Sequence, residues 1–308
     1  MKVLILGSQG LVGRALNRKF ESNPIFKEVI ASNRHSLNLF NQTAVKEYIT
    51  KHKPDFVINA AAKVGGILAN NTYRADFILE NLKINVNLLE AIIPYKNIKL
   101  INLGSSCIYP VDAKNPIKEE FIMTGPLEKT NSPYAMAKLT AIELGNSISH
   151  QYGHKVVNLM PTNLYGPYDN FDDKESHVIP GLMGRMHKAK KEDLKKFEVW
   201  GTGKPLREFL FVDDLADAIS FIIENEINEE LINIGSSEEI SINDLVSIMM
   251  KVIDFQGDVF FNPKYPDGNP RKLLDSSKIL SYGWKPKVNI LQGLKMTYDW
   301  YLKEQINN

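Results

Sequence analysis

Four apolar residues at positions 3–6 (VLIL) end directly in Gly7-Ser8-Gln9-Gly10-Leu11-Val12-Gly13, and a helical pattern follows without a break. That order of strand, glycine turn and helix restricts the chain to a β–loop–α opening. Glycine admits the tight turn and lets the backbone approach an anion at the helix N-terminus, where unpaired N–H groups favour negative charge. Glycine turns alone are common; the strand–loop–helix context is what points to a dinucleotide pyrophosphate. A site selective for NAD carries Asp or Glu about 20 residues further on, to hold the ribose hydroxyls. Here the next strand candidate, 28–31, runs into Ser32-Asn33-Arg34, with no carboxylate and one guanidinium. Arg34 suits a 2′-phosphate through charge-assisted hydrogen bonds, so NADPH is the expected cofactor; the competing reading is an ordinary surface charge.

The β–α rhythm continues. Runs at 28–31, 55–61, 99–104 and 155–161 read as strands, and 44–53, 75–93 and 132–153 as helices. Strands alternating with helices imply right-handed crossovers and a parallel sheet covered on both faces. After Pro161 the alternation breaks: 163–171 reads as loop and 188–196 (KAKKEDLKK) as a solvated charge run. A helix over 211–223 places Leu215, Ile219, Ile222 and Ile223 on one face, with Asp213 or Asp214 as its N-cap, and Ser241 to Asp244 form a capping signature. The expected architecture is α/β: a Rossmann-type doubly wound parallel sheet with a smaller C-terminal α/β substrate domain. Residues 1–165 form the dinucleotide domain and 166–308 mainly the substrate domain, the chain returning to the first near 207–234. A length of 308 residues allows two such units.

A net charge of +1 gives no global field for nucleic acid or an anionic membrane. A single cysteine excludes an internal disulfide and suits a reducing compartment. The first apolar run is too short for a signal peptide, and no stretch approaches the ~20 apolar residues of a spanning helix. A cytoplasmic location is expected.

Tyr134 and Lys138 lie four residues apart, on one face of a helix. A free phenol has a pKa of about 10, too high to cycle easily at neutral pH. An ammonium ~4 Å away, at an effective dielectric of ~20, contributes about 4 kcal/mol, enough to lower that pKa by up to about three units. Alone, the pair is also compatible with any amphipathic helix. Ser105 adds a hydroxyl at the end of a parallel strand, where open α/β sheets hold their ligands and where an oxyanion can be hydrogen-bonded. Two residues on lies Cys107, the lone thiol, which is either a core residue or an acid/base group; with no second cysteine or clustered histidine, neither a metal nor a disulfide is expected. His35, His52, His150, His154 and His187 sit in mostly polar sequence and read as surface residues.

The stretches at 59–78, 103–110 (LGSSCIYP), 133–138 (PYAMAK), 160–171 (MPTNLYGPYDNF), 176–180, 199–214 (VWGTGKPLREFLFVDD) and 266–275 carry a more specific likeness. Together with the glycine loop they cover most of the chain. The sequence resembles the extended short-chain dehydrogenase/reductases, and among them the GDP-L-fucose synthase family, 3,5-epimerase/4-reductases of GDP-4-keto-6-deoxy-D-mannose. The resemblance implies Ser105, Tyr134 and Lys138 as the reductase triad, and Cys107 with His177 as the acid/base pair of epimerisation. It implies cofactor contacts along Gly7, Ser8, Gln9, Gly10, Leu11, Val12, Gly13, Arg34, Leu39, Leu103, Gly104, Ser105, Lys138, Pro161, Thr162, Asn163, Leu164 and His177. It implies a nucleotide sugar held by Arg185, Trp200, Arg207 and Asp267, and a homodimer packed through helices that include the one bearing Tyr134. Gln9 stands where some relatives have arginine, which leaves the 2′-phosphate to Arg34.

Such a substrate explains why a thiol and an imidazole are needed. Protons at C3 and C5 are α to the ketone, and inverting either carbon takes a base on one face and an acid on the other. Cys at about 8.5 and His at about 6.5 bracket neutrality. Two other readings keep part of the picture: a GDP-4-keto-6-deoxy heptose in place of the hexose, separable by pocket shape, and a non-catalytic redox sensor, which has no need of a proton-transfer set.

Overall fold

The computed structural model describes residues 1–172, 176–265 and 267–307. The first part alternates as β1 (Lys2–Leu6), α1 (Leu11–Glu21), β2 (Glu28–Ser32), α2 (Gln42–His52), β3 (Phe56–Asn59), α3 (Ile67–Thr72), α4 (Arg74–Ile92), β4 (Lys99–Leu103), α5 (Ser132–Tyr152) and β5 (Val156–Pro161). It continues with β6 (Asn163–Tyr165), α6 (Val178–Lys191), β7 (Lys196–Trp200), β8 (Leu206–Phe211), α7 (Val212–Glu224) and β9 (Leu231–Ile234). The remainder is β10 (Glu239–Ser241), α8 (Ile242–Ile253), β11 (Asp258–Asn262), β12 (Arg271–Lys272), α9 (Ser277–Ser281) and α10 (Ile290–Asn307).

Six strands form one parallel sheet in the order β2-β1-β3-β4-β5-β9. Val3, Leu4, Ile5 and Leu6 are all buried, as a strand covered on both faces requires. Alternate residues serve two cores: Val3 and Ile5 pack with Leu16 and Ile219, Leu4 and Leu6 with Ile49 and Leu88. α1 lies against α7, clamped by the Lys19–Asp217 pair at 2.6 Å and by Arg18 on Asp213.

A second sheet runs β10-β8-β12, with β6 on the other part of β8, and β7 pairs with β11. Its core gathers Met183, Met186, Phe197, Val199, Leu245 and Met249. β8 serves both cores, Leu210 facing the first and its neighbours Phe209 and Phe211 the second. Glu208, in the same strand, is fully buried; its carboxylate accepts from Ser237 N at 2.8 Å and Leu274 N at 3.1 Å. Its carbonyl accepts from Thr162 Oγ1 at 3.2 Å and Asn163 Nδ2 at 2.8 Å, which fixes the chain leaving β5.

Three local readings are corrected. Residues 163–165 are not loop but β6, because β8 offers them a parallel ladder that nothing in their own sequence announces. Helix α7 is capped by Phe211, not by Asp213 or Asp214; both carboxylates lie in its first turn, and Asp214 instead accepts from Lys287 N and Val288 N. Two histidines are not surface residues. His154 is buried and its Nε2 donates to the Ile93 carbonyl at 3.0 Å, because the left-handed Gly153 turns it inward as the chain enters β5. His187 is half-buried, its Nδ1 2.9 Å from the Tyr298 hydroxyl and its ring edge-on to Tyr301. Ser241 does cap α8, accepting from Asp244 N at 3.0 Å. Among the described residues no helix is long and apolar enough to cross a membrane.

Candidate active site

The glycine loop sits at the C-terminal end of β1. Gly7 has a φ of +77°, and a Cβ on Gly13 would fall 2.2 Å from the Gly7 carbonyl, so only glycine lets α1 approach the loop this closely. No side chain caps α1 at Gly10. Its first-turn N–H groups are left for a ligand. Gly10 borders two adjoining hollows that also share Ala60 and Ala62.

The outer hollow, of about 620 Å³, is walled by Gly7, Gln9, Arg34 and Leu39. Arg34 is exposed there and has no hydrogen-bond or ion-pair partner among the described residues. The inner cleft, of about 330 Å³, is lined by Leu11, Val12, Leu103, Gly104, Ser105, Tyr134, Lys138, Pro161, Thr162, Asn163, Leu164 and His177. The elements explain this convergence. β4 and β5 deliver 103–105 and 161–164 to the sheet's C-terminal edge, α5 brings Tyr134 and Lys138 across it, and His177 caps α6 from the far side. Ser8 and Gly13, expected at the cofactor, line neither hollow; both are buried in the packing of the loop on α1.

Tyr134 lies in the first turn of α5. Glu128 holds the preceding loop through Thr130 N and Asn131 N, and Arg74 holds it through the Lys129 carbonyl at 2.9 Å. The ring of Phe77 packs edge-on to Tyr134, centroids 6.3 Å apart. Burial drives the phenol far above its ordinary range, the nearby Cys107 thiolate form would drive it further, and a hydrogen bond from Ser105 offsets part of this. The sequence argument that Lys138 lowers the phenol is therefore not met. The Lys138 ammonium is buried, donates to the Leu103 carbonyl at 2.6 Å and stands 5.7 Å from the Tyr134 ring centre; burial lowers its own pKa to about 8. Lys138 is not among the groups that set the phenol, and the ammonium's hydrogen bond goes to the Leu103 carbonyl instead. The phenol is set as a proton donor.

Ser105 caps a short helical turn and accepts from Cys107 N at 3.4 Å. Cys107 keeps some exposed surface but lines neither hollow. Burial pushes its thiol up, while Lys272, Ser105 and Lys138 pull it partly back. His177 has an exposed edge at the rim, yet the surrounding wall holds its imidazole below the usual histidine range. Ser105, Cys107, Tyr134 and Lys138 thus form one electrostatically coupled cluster, with His177 facing it across the cleft.

The four residues expected to hold the sugar nucleotide lie outside both hollows and fall into two pairs. Arg185 stands 5.0 Å from the ring centre of Trp200, which is half-exposed and stacked on Tyr265 at 4.8 Å. Asp267 accepts from Thr202 N at 2.6 Å and from its hydroxyl at 2.7 Å, and attracts Arg207, whose guanidinium is partly desolvated. Arg207 is in register with Lys272, whose charge acts on the Cys107 thiol and so couples this rim to the cluster. Pro266, in the matching stretch 266–275, lies outside the described residues.

Sequence reasoning missed Lys272, Asn59, Asn70 and Asp169. Lys272 lies in a two-residue strand, too short to show a periodicity. Asn59 Oδ1, Asn70 Oδ1 and Asp169 Oδ2 are buried without a hydrogen-bond partner, and all three residues line the inner cleft. Each Asn orientation is set by what its amide nitrogen binds: Gly65 O at 2.7 Å for Asn70, Asn85 Oδ1 at 2.9 Å for Asn59. Unsatisfied buried polar atoms in a cleft call for a ligand. The uncapped N-terminus of α1, opening at Gly10 onto both hollows, fits a bound dinucleotide.

The model of the NAD dependent epimerase/dehydratase family matches residues 3–235. The chain is 47% identical over 306 residues to GDP-L-fucose synthase 1 of Arabidopsis thaliana, covering 99% of this chain and 94% of that one. Among solved structures it is similar to a GDP-6-OMe-4-keto-L-xylo-heptose reductase from C. jejuni, with a TM-score of 0.91, 34% identity and 98% of each chain covered. It is also similar to a GDP-L-fucose synthetase from Naegleria fowleri bound to NADP, with a TM-score of 0.89, 28% identity, and 99% and 94% covered.

Proposed function

The chain belongs to the NAD dependent epimerase/dehydratase family, and from that premise we propose that it converts GDP-4-keto-6-deoxy-D-mannose to GDP-L-fucose by 3,5-epimerisation and NADPH-dependent 4-reduction. The observation that carries the reading is the meeting of Ser105, Tyr134, Lys138 and His177 in one cleft, with the Cys107 thiol coupled to the phenol. NADPH, when bound, supplies the hydride for C4. The glycine loop and the start of α1 hold its pyrophosphate, Arg34 its 2′-phosphate, and 161–164 with His177 its nicotinamide end.

Ser105 and Tyr134 hydrogen-bond the C4 oxygen as it becomes first an enolate and then an alkoxide. Burial works in the required sense on both partners of the epimerisation. Raised, the Cys107 thiol is protonated at neutral pH and can donate; lowered, the His177 imidazole is neutral and can accept. One group strips the α-proton and the other returns a proton from the opposite face. Tyr134, kept protonated by burial, gives its proton to the alkoxide.

In this reading residues 1–165, rejoined near 207–234, are the cofactor domain, and 166–308 mainly the substrate domain, where Arg185, Trp200, Arg207 and Asp267 hold the GDP moiety. A homodimer packed through helices that include α5 belongs to the same proposal. Incubation with NADPH and GDP-4-keto-6-deoxy-D-mannose should consume the cofactor, whereas a UDP-linked 4-ketosugar should not; equal consumption with both would reject the assignment of the nucleotide.

Arg34→Ala should weaken NADPH selectively. A lost charge-assisted contact costs about 1.5–3 kcal/mol, and exposure of Arg34 places the effect near the lower end, about tenfold, with NADH unchanged. Titration of both cofactors by fluorescence measures it, and an equal loss for both would move the phosphate contact elsewhere.

A further inference from the structure

Glu208 has no exposed surface, and backbone N–H groups rather than a cation meet its carboxylate. Oε1 accepts from Ser237 N at 2.8 Å and Oε2 from Leu274 N at 3.1 Å. A carboxylate is costly to bury, and hydrogen bonds of this kind are what offset the cost. The fold makes room for it: a Cβ on Gly235 would fall 2.2 Å from Oε1, so the turn after β9 reaches the carboxylate only as glycine. The two halves of Glu208 serve different parts of the molecule. Its carbonyl fastens Thr162 and Asn163 of the inner cleft, while its carboxylate fastens Leu274, just beyond β12.

β12 needs that hold. It is only Arg271 and Lys272, and it sets Lys272 in register with Arg207 on β8. Like charges on paired strands repel. Asp267 and Glu128 act on this pair, but their hydrogen bonds go elsewhere, to Thr202 and to Thr130 and Asn131. Resting on the reading that Arg207 and Asp267 hold the GDP moiety, we propose that Glu208 is a positioning residue for the nucleotide sugar. Its carboxylate, through Leu274 N, keeps β12 on β8 and so keeps Lys272 beside Arg207 against their repulsion. The neighbouring Leu273 adds to the hold: its N donates to Asn115 Oδ1 at 2.7 Å and its carbonyl accepts from Ile117 N at 2.8 Å. Two cations kept together in this way suit a diphosphate.

Glu208→Gln keeps the size of the side chain but sets a donor against one of the two N–H groups. Binding of GDP and of NADPH to the full chain is measured separately by calorimetry, in the wild type, Glu208→Gln, Lys272→Met and the double variant. Glu208→Gln should weaken GDP about tenfold, the scale of a lost hydrogen bond to a charged group. NADPH should stay within about threefold, less than one net hydrogen bond, because the residue 208 carbonyl still holds Thr162 and Asn163. Lys272→Met should weaken GDP as well. The cycle carries the claim: in the Lys272→Met background, Glu208→Gln should cost GDP less than about twofold, since no ammonium is left to place. The same loss in both backgrounds, or equal losses of GDP and NADPH, would make Glu208 a general structural residue and overturn the proposal. Unchanged GDP affinity in either single variant would overturn it too. Should Glu208→Gln not fold by circular dichroism, Asn115→Ala strips the acceptor from Leu273 N and runs the same cycle, judged by the same outcomes. A wild type that binds GDP no better than UDP would instead sink the nucleotide reading on which the proposal rests.

Discussion

Tyr134→Phe should lower NADPH consumption by about 10³-fold or more while the cofactor still binds. Among the described residues that line the cleft, the phenol is the one that burial keeps protonated and that also shares a hydrogen bond with Ser105. General-acid catalysis is worth about 10²–10⁴, and an oxyanion donor about 10²–10³, so losing both through one hydroxyl should be severe even if the effects overlap. Phenylalanine keeps the edge-on contact with Phe77, and Lys138 keeps its bond to the Leu103 carbonyl, so the cofactor wall survives. Absorbance of NADPH follows turnover and fluorescence follows binding. Turnover within a few-fold of the wild type would remove Tyr134 from the reaction.

Cys107→Ser should separate the two chemistries. With NADPH withheld, the wild type in D2O should place deuterium at C3 and C5 of the sugar, and the variant should do so about 10²–10⁴-fold more slowly. Serine is nearly isosteric, but its hydroxyl is far too weak an acid for this exchange. Cys107 lines neither hollow, so NADPH affinity should stay unchanged. The pH profile adds a second readout. Exchange needs His177 neutral and Cys107 protonated, and burial lowers the first and raises the second, so the active window should extend beyond both ordinary pKa values. Exchange at the wild-type rate in Cys107→Ser would make the thiol a packing residue.

The convergence of Ser105, Tyr134 and Lys138 on one cleft was largely legible because its signals are local. Gly7, Gly10 and Gly13 are spaced for one turn against one strand, and Tyr134 and Lys138 share one helix face, so neither needs knowledge of distant chain. The parallel sheet followed from strands alternating with helices along the first 161 residues. What escaped depends on long-range pairing. β6 exists only because β8 lies beside it, and the charge of Lys272 is brought to bear on Cys107 through the pairing of β12 with β8. Spacing predicted that Lys138 would lower the phenol, but spacing carries no information about burial, and the Leu103 carbonyl takes up the ammonium.

The central claim is that one site both inverts C3 and C5 and reduces C4. NMR of the product formed from GDP-4-keto-6-deoxy-D-mannose and NADPH tests it most directly. The account predicts a 6-deoxy-L-galacto sugar, GDP-L-fucose, with both stereocentres inverted and the C4 hydroxyl newly formed. A 6-deoxy-D-sugar reduced at C4 but unchanged at C3 and C5 would contradict it.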